Sequence, residues 1–227
     1  MFIGHYGVSF AAKAVKPALP LWVLFLAVQL VDVFWAIFVL LGIEKVRIVP
    51  GITATNPLDL YYMPYTHGLV TSLIWALAAV VVVRAMPNIN RWGSAAVVGI
   101  AVFSHWLLDL VVHRHDLPLY SDAHKVGLGL WNFPATAFTL EILLLAGGMV
   151  LYAKNTRASS RFNLYGMILF GLLMIGIQAM VFFGSPPETD TEVATSALVS
   201  YFLFAALAFW LERGRTPVTS GAAHDNA

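Results

Sequence analysis

Four ionisable residues, Asp32, His105, Asp109 and Glu141, lie in stretches that are otherwise apolar enough to cross a membrane. A charged side chain in the hydrocarbon core costs at least ~2.5–3.5 kcal/mol on insertion scales, so such residues generally face the protein interior and serve a function. His105, Asp109 and His113 recur every four residues, which aligns three possible ligands on one helical face. Because imidazole and carboxylate together suit Zn²⁺, Mn²⁺ or Fe²⁺, the spacing predicts a metal site within the membrane.

The composition identifies the class of protein that must position these residues. Of the 227 residues, 59% are hydrophobic and 11% are charged, whereas a soluble domain is ~45–50% apolar. The net charge of +1 gives no basic field for nucleic acid, and the absence of cysteine leaves only His, Asp and Glu as strong metal ligands. A cleavable signal is not expected, because Lys13 and Lys16 follow the first apolar segment instead of preceding it.

Apolar windows of about 20 residues predict an all-α, polytopic transmembrane helix bundle of about six spans. We expect these spans at residues 20–43, 67–84, 94–112, 134–153, 163–184 and 194–211. Residues 1–212 then form a single integral membrane domain, followed by a polar, disordered tail at 213–227. Nine of the thirteen Lys and Arg residues fall at one set of helix ends, which predicts that those ends and the tail are cytoplasmic.

The rise of a helix places the rare polar groups of different spans at similar depth. At ~1.5 Å per residue, heights above the cytoplasmic edge are roughly 16 Å for His105, 18 Å for Asp32 and Glu141, 22 Å for Asp109 and 25 Å for His67. Because these heights come from separate helices, we expect the side chains to face one another at one level.

The N-terminal segment can reach the same level. Residues 1–16 are too short for a span but long enough for a half-helix, and Pro17 and Pro20 can make the turn at the membrane edge. His5 would then rise about 16 Å into the bundle. An amphipathic helix lying on the membrane surface fits this segment equally well.

Each candidate also has an ordinary structural interpretation. Taken alone, His105 is typical of a hydrogen-bonded packing residue, and Asp32 and Glu141 are typical of groups that bridge neighbouring helices. The histidines in the predicted outer loop are expected to be solvated; these are His113, His115 and His124.

Four motifs carry a family resemblance over about the first 120 residues: GHYGVSFAAK, LVDVF, PYTHGLVTSLIW and FSHWLLDLVVHRHDLP. Together they resemble the membrane-bound metal-dependent hydrolase family, typified by a LexA-regulated inner-membrane protein and distantly similar to zinc-dependent phospholipase C. The resemblance implies a bacterial inner-membrane location and a divalent metal, with zinc first and manganese or iron as alternatives. The implied ligands are His5, Asp32, His67, His105 and Asp109.

The first span departs from the family pattern. The family often has Pro-Asp-x-Asp-His, where this chain has Val-Asp-Val-Phe-Trp at residues 31–35. The second acid and the histidine are therefore absent, which puts a two-metal site in doubt.

Together these features predict a metal-dependent hydrolase that acts on a phospholipid or lipid-linked phosphoester, with Asp109 or Glu141 as general base. Its partners would be the lipid bilayer and a lipid or small-molecule substrate, and the oligomeric state is not indicated. An ion- or proton-coupled permease could use the same buried Asp, Glu and His residues. A catalytically inactive scaffold stabilised by metal is the third alternative.

Overall fold

The computed structural model describes residues 1–218 and is built mainly from α-helices, as the all-α prediction expects. The helices within these residues are α1 (Ile3–Val15), α2 (Leu21–Val28), α3 (Leu30–Leu40), α4 (Leu69–Ala85), α5 (Trp92–Val112), α6 (Pro134–Asn155), α7 (Arg161–Phe183) and α8 (Asp190–Glu212). Two short antiparallel strand pairs, which the sequence did not predict, join β1 (Lys45–Ile48) to β2 (Leu58–Tyr62) and β3 (Thr156–Ala158) to β4 (Arg215–Pro217).

Four helices of the described chain, α5 to α8, are long and apolar enough to cross a membrane. Helices α2 and α3 make a fifth candidate if they form one span with a 54° bend, and α4 is apolar but has only 17 residues. The chain is therefore a multi-pass membrane protein. The count of six spans stays a prediction.

The helices define two ends of the bundle. The basic end carries the β3–β4 pair and Lys13, whose ammonium group contacts the Glu212 carboxylate at the end of α8. The hairpin end carries the β1–β2 pair, and there the Thr55 hydroxyl donates to the Trp131 carbonyl oxygen at 2.9 Å. Strand β4 lies within the tail predicted to be disordered, and residues 219–227 of that tail lie outside the described residues.

Helix α1 lies inside the bundle, not on its surface. Tyr6 and Phe10 are fully buried, and α1 runs parallel to α6 with the two backbones in contact. Glycine makes this approach possible, because a Cβ on Gly148 would lie 2.1 Å from the Gly7 carbonyl oxygen. Since Lys13 reaches the basic end, the beginning of α1 sits at mid-bundle, and the surface-helix alternative for this segment is wrong.

The bend between α2 and α3 exposes a backbone acceptor. It occurs at Gln29, which is fully buried and donates through its side-chain amide to the Phe2 carbonyl oxygen at 3.4 Å. Carbonyl groups at a helix end have no partner within the helix. The Val28 carbonyl at this break instead accepts from the imidazole of His105 at 2.6 Å, so the bend helps to position a site residue.

Candidate metal centre

The five residues implied as ligands converge from four parts of the chain. In chain order they are His5 on the first turn of α1, Asp32 on the first turn of α3, His67 just before α4, and His105 and Asp109 on α5. All five are buried. Two triplets each offer ligand atoms that lie within 4.8 Å of one another: His5, His105 and Asp109, and Asp32, His67 and His105. The structure therefore brings the predicted set together, with His105 shared by both triplets.

Asp109 lies at the centre of this cluster. Its Oδ2 atom is 3.0 Å from the Nε2 atom of His105, 3.6 Å from that of His113 and 3.7 Å from that of His67. Its Oδ1 atom is 3.2 Å from the Nε2 atom of His5. A carboxylate surrounded by four imidazoles is better placed to act as a ligand than as a free general base.

Asp32 is the second carboxylate of the cluster. Its Oδ1 atom is 3.1 Å from His67 Nε2 and 3.5 Å from His105 Nε2. Its Oδ2 atom accepts a hydrogen bond from the Tyr201 hydroxyl of α8 at 2.9 Å. Sequence reasoning missed Tyr201, because a tyrosine in an apolar span carries no signal of its own.

Backbone and carboxylate acceptors determine how two of the imidazoles are oriented. His105 Nδ1 lies 2.6 Å from the Val28 carbonyl oxygen, and His113 Nδ1 lies 2.9 Å from Asp116 Oδ1. Because a carbonyl or carboxylate oxygen accepts, each Nδ1 carries a proton, and a ring in its neutral form then presents an Nε2 lone pair to the cluster. This arrangement is the usual support of a metal-bound histidine.

His67 is oriented through a relay. The Thr66 hydroxyl lies 2.6 Å from Glu44 Oε2 and 2.8 Å from His67 Nδ1. While Glu44 is ionised, Thr66 donates to it and His67 Nδ1 donates to Thr66, which again leaves the Nε2 lone pair toward the cluster. Burial raises the pKa of the Glu44 carboxyl, although hydrogen bonds from Thr66 and Tyr65 oppose this shift.

The donor set fits a divalent cation. Within residues 1–218, no lysine or arginine side chain pairs with Asp32 or Asp109, although the Met1 ammonium group lies 2.5 Å from Asp109 Oδ1. Also within the described chain, His105 Nε2 and His5 Nδ1 are buried without a hydrogen-bond partner. The lone pair of a neutral imidazole is repelled by the carboxylate that it faces, and the Met1 ammonium group balances only one of the two buried negative charges. A bound cation with two positive charges satisfies both requirements, and neutral imidazole with carboxylate suits zinc, manganese or iron.

Glu141 lies beside the cluster instead of within it. Its Oε2 atom accepts from the backbone N–H groups of Phe2 at 2.8 Å and Gly4 at 3.2 Å, so it caps the start of α1 and helps to place His5. The Met1 nitrogen next to it lies 2.5 Å from Asp109 Oδ1. Its Oε1 atom is buried and has no partner in the described part of the chain, so one oxygen is free to take a proton.

His113 is not solvated, so the expectation of a solvent-exposed side chain is wrong for this residue. It is 2% exposed, and its ring packs against Trp131 at a centroid distance of 4.3 Å. The loop after α5 folds back over the site, whereas His115 and His124 are exposed as expected. The four-residue spacing from Asp109, by which the sequence analysis named His113 as a possible ligand, agrees with its position in the cluster.

The loop after α5 and the β1–β2 hairpin are tied to the cluster by a chain of ion pairs. Asp116, which orients His113, also accepts from Arg114 at 3.2 Å. Arg114 contacts Asp59 of β2, and Asp59 contacts Arg47 of β1 at 2.5 Å. The β1–β2 hairpin is thereby linked to the candidate ligands.

The fold and this site define a multi-pass membrane protein with a buried histidine–aspartate centre. Comparison of the chain with protein-family models, with curated proteins and with solved structures found no match. The arrangement of these side chains is therefore what supports a functional assignment.

Proposed function

We propose that the protein is an integral-membrane hydrolase of the bacterial inner membrane, which uses one divalent cation, zinc in the first place, to cleave a lipid-linked phosphoester. The observation that carries the proposal is the convergence of oriented imidazoles and two carboxylates in a buried site. This site opens into a cavity of about 510 Å³, whose lining includes Asp32, His67, Asp109 and Glu141. The cavity therefore borders both the candidate ligands and Glu141.

The residues that would hold the cation are His5, Asp32, His67, His105 and Asp109. When bound, the cation would lower the pKa of a coordinated water toward ~7 and polarise the scissile group. Glu141 Oε1 then takes a proton from the attacking water and returns it to the leaving oxygen. The water oxygen forms the new bond as the ester bond breaks, so the reaction needs no oxidant or reductant.

Elemental analysis of the detergent-purified protein tests the metal site. We expect about one equivalent of metal in the wild type, and its loss in His67→Ala and His105→Ala. His115→Ala is the matched control, because this histidine is exposed on the neighbouring loop. Metal retained in both cluster variants would contradict the proposal.

Activity on a labelled phospholipid tests the chemistry. Glu141→Gln should keep its metal but lose about 10²–10⁴-fold in rate, which is the usual contribution of a general base. Movement of the lipid across proteoliposomes without cleavage would instead support a permease. A higher melting temperature with metal, but no cleavage of any ester, would support a scaffold.

A further inference from the structure

Helices α7 and α8 contact each other in the half of the bundle near the basic end. There Phe170 faces Phe204 and Phe162 faces Trp210, each pair with ring centroids 5.9 Å apart. Toward the hairpin end, both helices instead line the cavity that leads to the candidate metal centre. The two helices therefore form a cleft, which is closed toward the basic end and connected to the candidate metal centre toward the hairpin end.

The walls of this cleft are largely apolar and reach the surface of the bundle. Apolar lining residues from the two helices are Ile177, Met180, Val181, Phe182, Val193 and Ala197. Met180 is 71% exposed and Val181 is 53% exposed. Since α7 and α8 are both candidate spans, an opening between them faces the hydrocarbon of the bilayer. An apolar chain can therefore enter from the side.

One polar side chain in the cleft lacks a partner. Gln178 is fully buried and lines the cavity, yet within residues 1–218 neither its amide oxygen nor its amide nitrogen has a hydrogen-bond partner. Unsatisfied buried polar groups are rare and each costs ~1–3 kcal/mol. An amide offers a donor and an acceptor, which match an ester carbonyl and a hydroxyl group. Gln178 thus points to a ligand that has a polar linkage at this depth and an apolar chain along the walls of the cleft.

We propose that the α7–α8 cleft binds an acyl chain of a membrane lipid, with Gln178 hydrogen-bonded to the linkage between the chain and the polar group. The polar group then extends toward Asp109 and Glu141, which line the same cavity. This inference deepens the proposed function, because it supplies the substrate site of the hydrolase. Binding of the chain does not itself require cleavage.

Photolabelling in nanodiscs tests the cleft. The probe is phosphatidylethanolamine with a diazirine on one acyl chain, and the labelled peptides are mapped by mass spectrometry. We expect wild-type labels to concentrate on residues 177–182 and 193–200, and to persist after treatment with a chelator. Ala197→Phe should reduce them about tenfold, the loss expected when about two methylene groups are displaced.

Ala206→Phe is the matched control, because Ala206 is an exposed alanine of α8 outside the cavity lining. The melting temperature in detergent reports whether each variant is folded, and Val193→Phe replaces Ala197→Phe if the latter does not accumulate. Labels spread evenly over the exposed spans, or unchanged in a folded cleft variant, would overturn the inference. Labels in the cleft without cleavage of any ester would leave it standing and overturn only the proposed function.

Gln178→Leu separates a binding role from a structural one. If Gln178 binds a ligand, this variant should be photolabelled less than the wild type. Its melting temperature in lipid-free detergent should be equal to or higher than that of the wild type, because an amide without a partner in the described chain has been removed. A lower melting temperature with unchanged labelling would assign Gln178 to structure and refute its role at the linkage.

Discussion

The Thr66 hydroxyl is the link through which Glu44 orients His67, and its removal gives a sharp prediction. Thr66→Val keeps the shape of the side chain but deletes the contacts of 2.6 Å to Glu44 and 2.8 Å to His67. Glu44 still accepts from the backbone N–H groups of Tyr65 at 2.8 Å and Thr66 at 3.0 Å, so the loop keeps its anchor. The main consequence is that His67 Nδ1 loses its acceptor and the ring can rotate or change tautomer.

Loss of such a supporting hydrogen bond typically lowers metal affinity ~10–100-fold, which corresponds to ~1.4–2.7 kcal/mol. Competition with a chromophoric chelator, in detergent at fixed pH, measures this affinity directly. Thr71→Val is the matched control, because within residues 1–218 its hydroxyl donates only to the backbone carbonyls of Pro64 and Gly68, at 3.0 Å each. Equal affinity in Thr66→Val and the wild type would refute the relay, and an equal loss in Thr71→Val would show that the effect is not specific to His67.

Two further predictions concern the loop after α5 and the packing of α1. His113→Ala should lower metal affinity about tenfold or more in the same competition assay. His115→Ala should not lower it, because this residue is exposed. Unchanged affinity in both variants would exclude His113 from the centre. Gly148→Ala should destabilise the protein by ~1–3 kcal/mol in thermal unfolding, because its Cβ would overlap the α1 backbone. Gly147→Ala meets nothing within 4 Å in the described chain and should be tolerated; similar losses at both positions would contradict the close contact.

Much of the architecture was readable from local pattern. An apolar window of about 20 residues can satisfy its backbone groups in lipid only as a helix, so helix positions follow from composition. The ~1.5 Å rise then orders polar groups by depth without knowledge of how the helices pack. Neither the hydropathy argument nor the helical rise predicted the irregular parts of the backbone. The bend at Gln29 and the strand pair of β3 with β4 depend on partners distant in the chain, and no window contains them.

The candidate site divides in the same way. The four-residue spacing on α5 aligns His105 with Asp109 whatever surrounds them. The motif resemblance implied His5, Asp32 and His67 as further ligands, and the structure places them beside that pair. Supporting residues were missed, because Tyr201 and Glu44 reach the cluster only through contacts across 169 and 22 residues of chain.

By itself, the sequence determined that this chain enters a membrane and that a few ionisable groups share one level within it, because hydropathy and helical rise are local properties. Only the tertiary structure decided which way each imidazole turns, that the loop after α5 buries His113, and that a cleft lined by Gln178 joins the site. These outcomes depend on hydrogen bonds and packing between segments far apart in the chain, whose geometry no local pattern encodes.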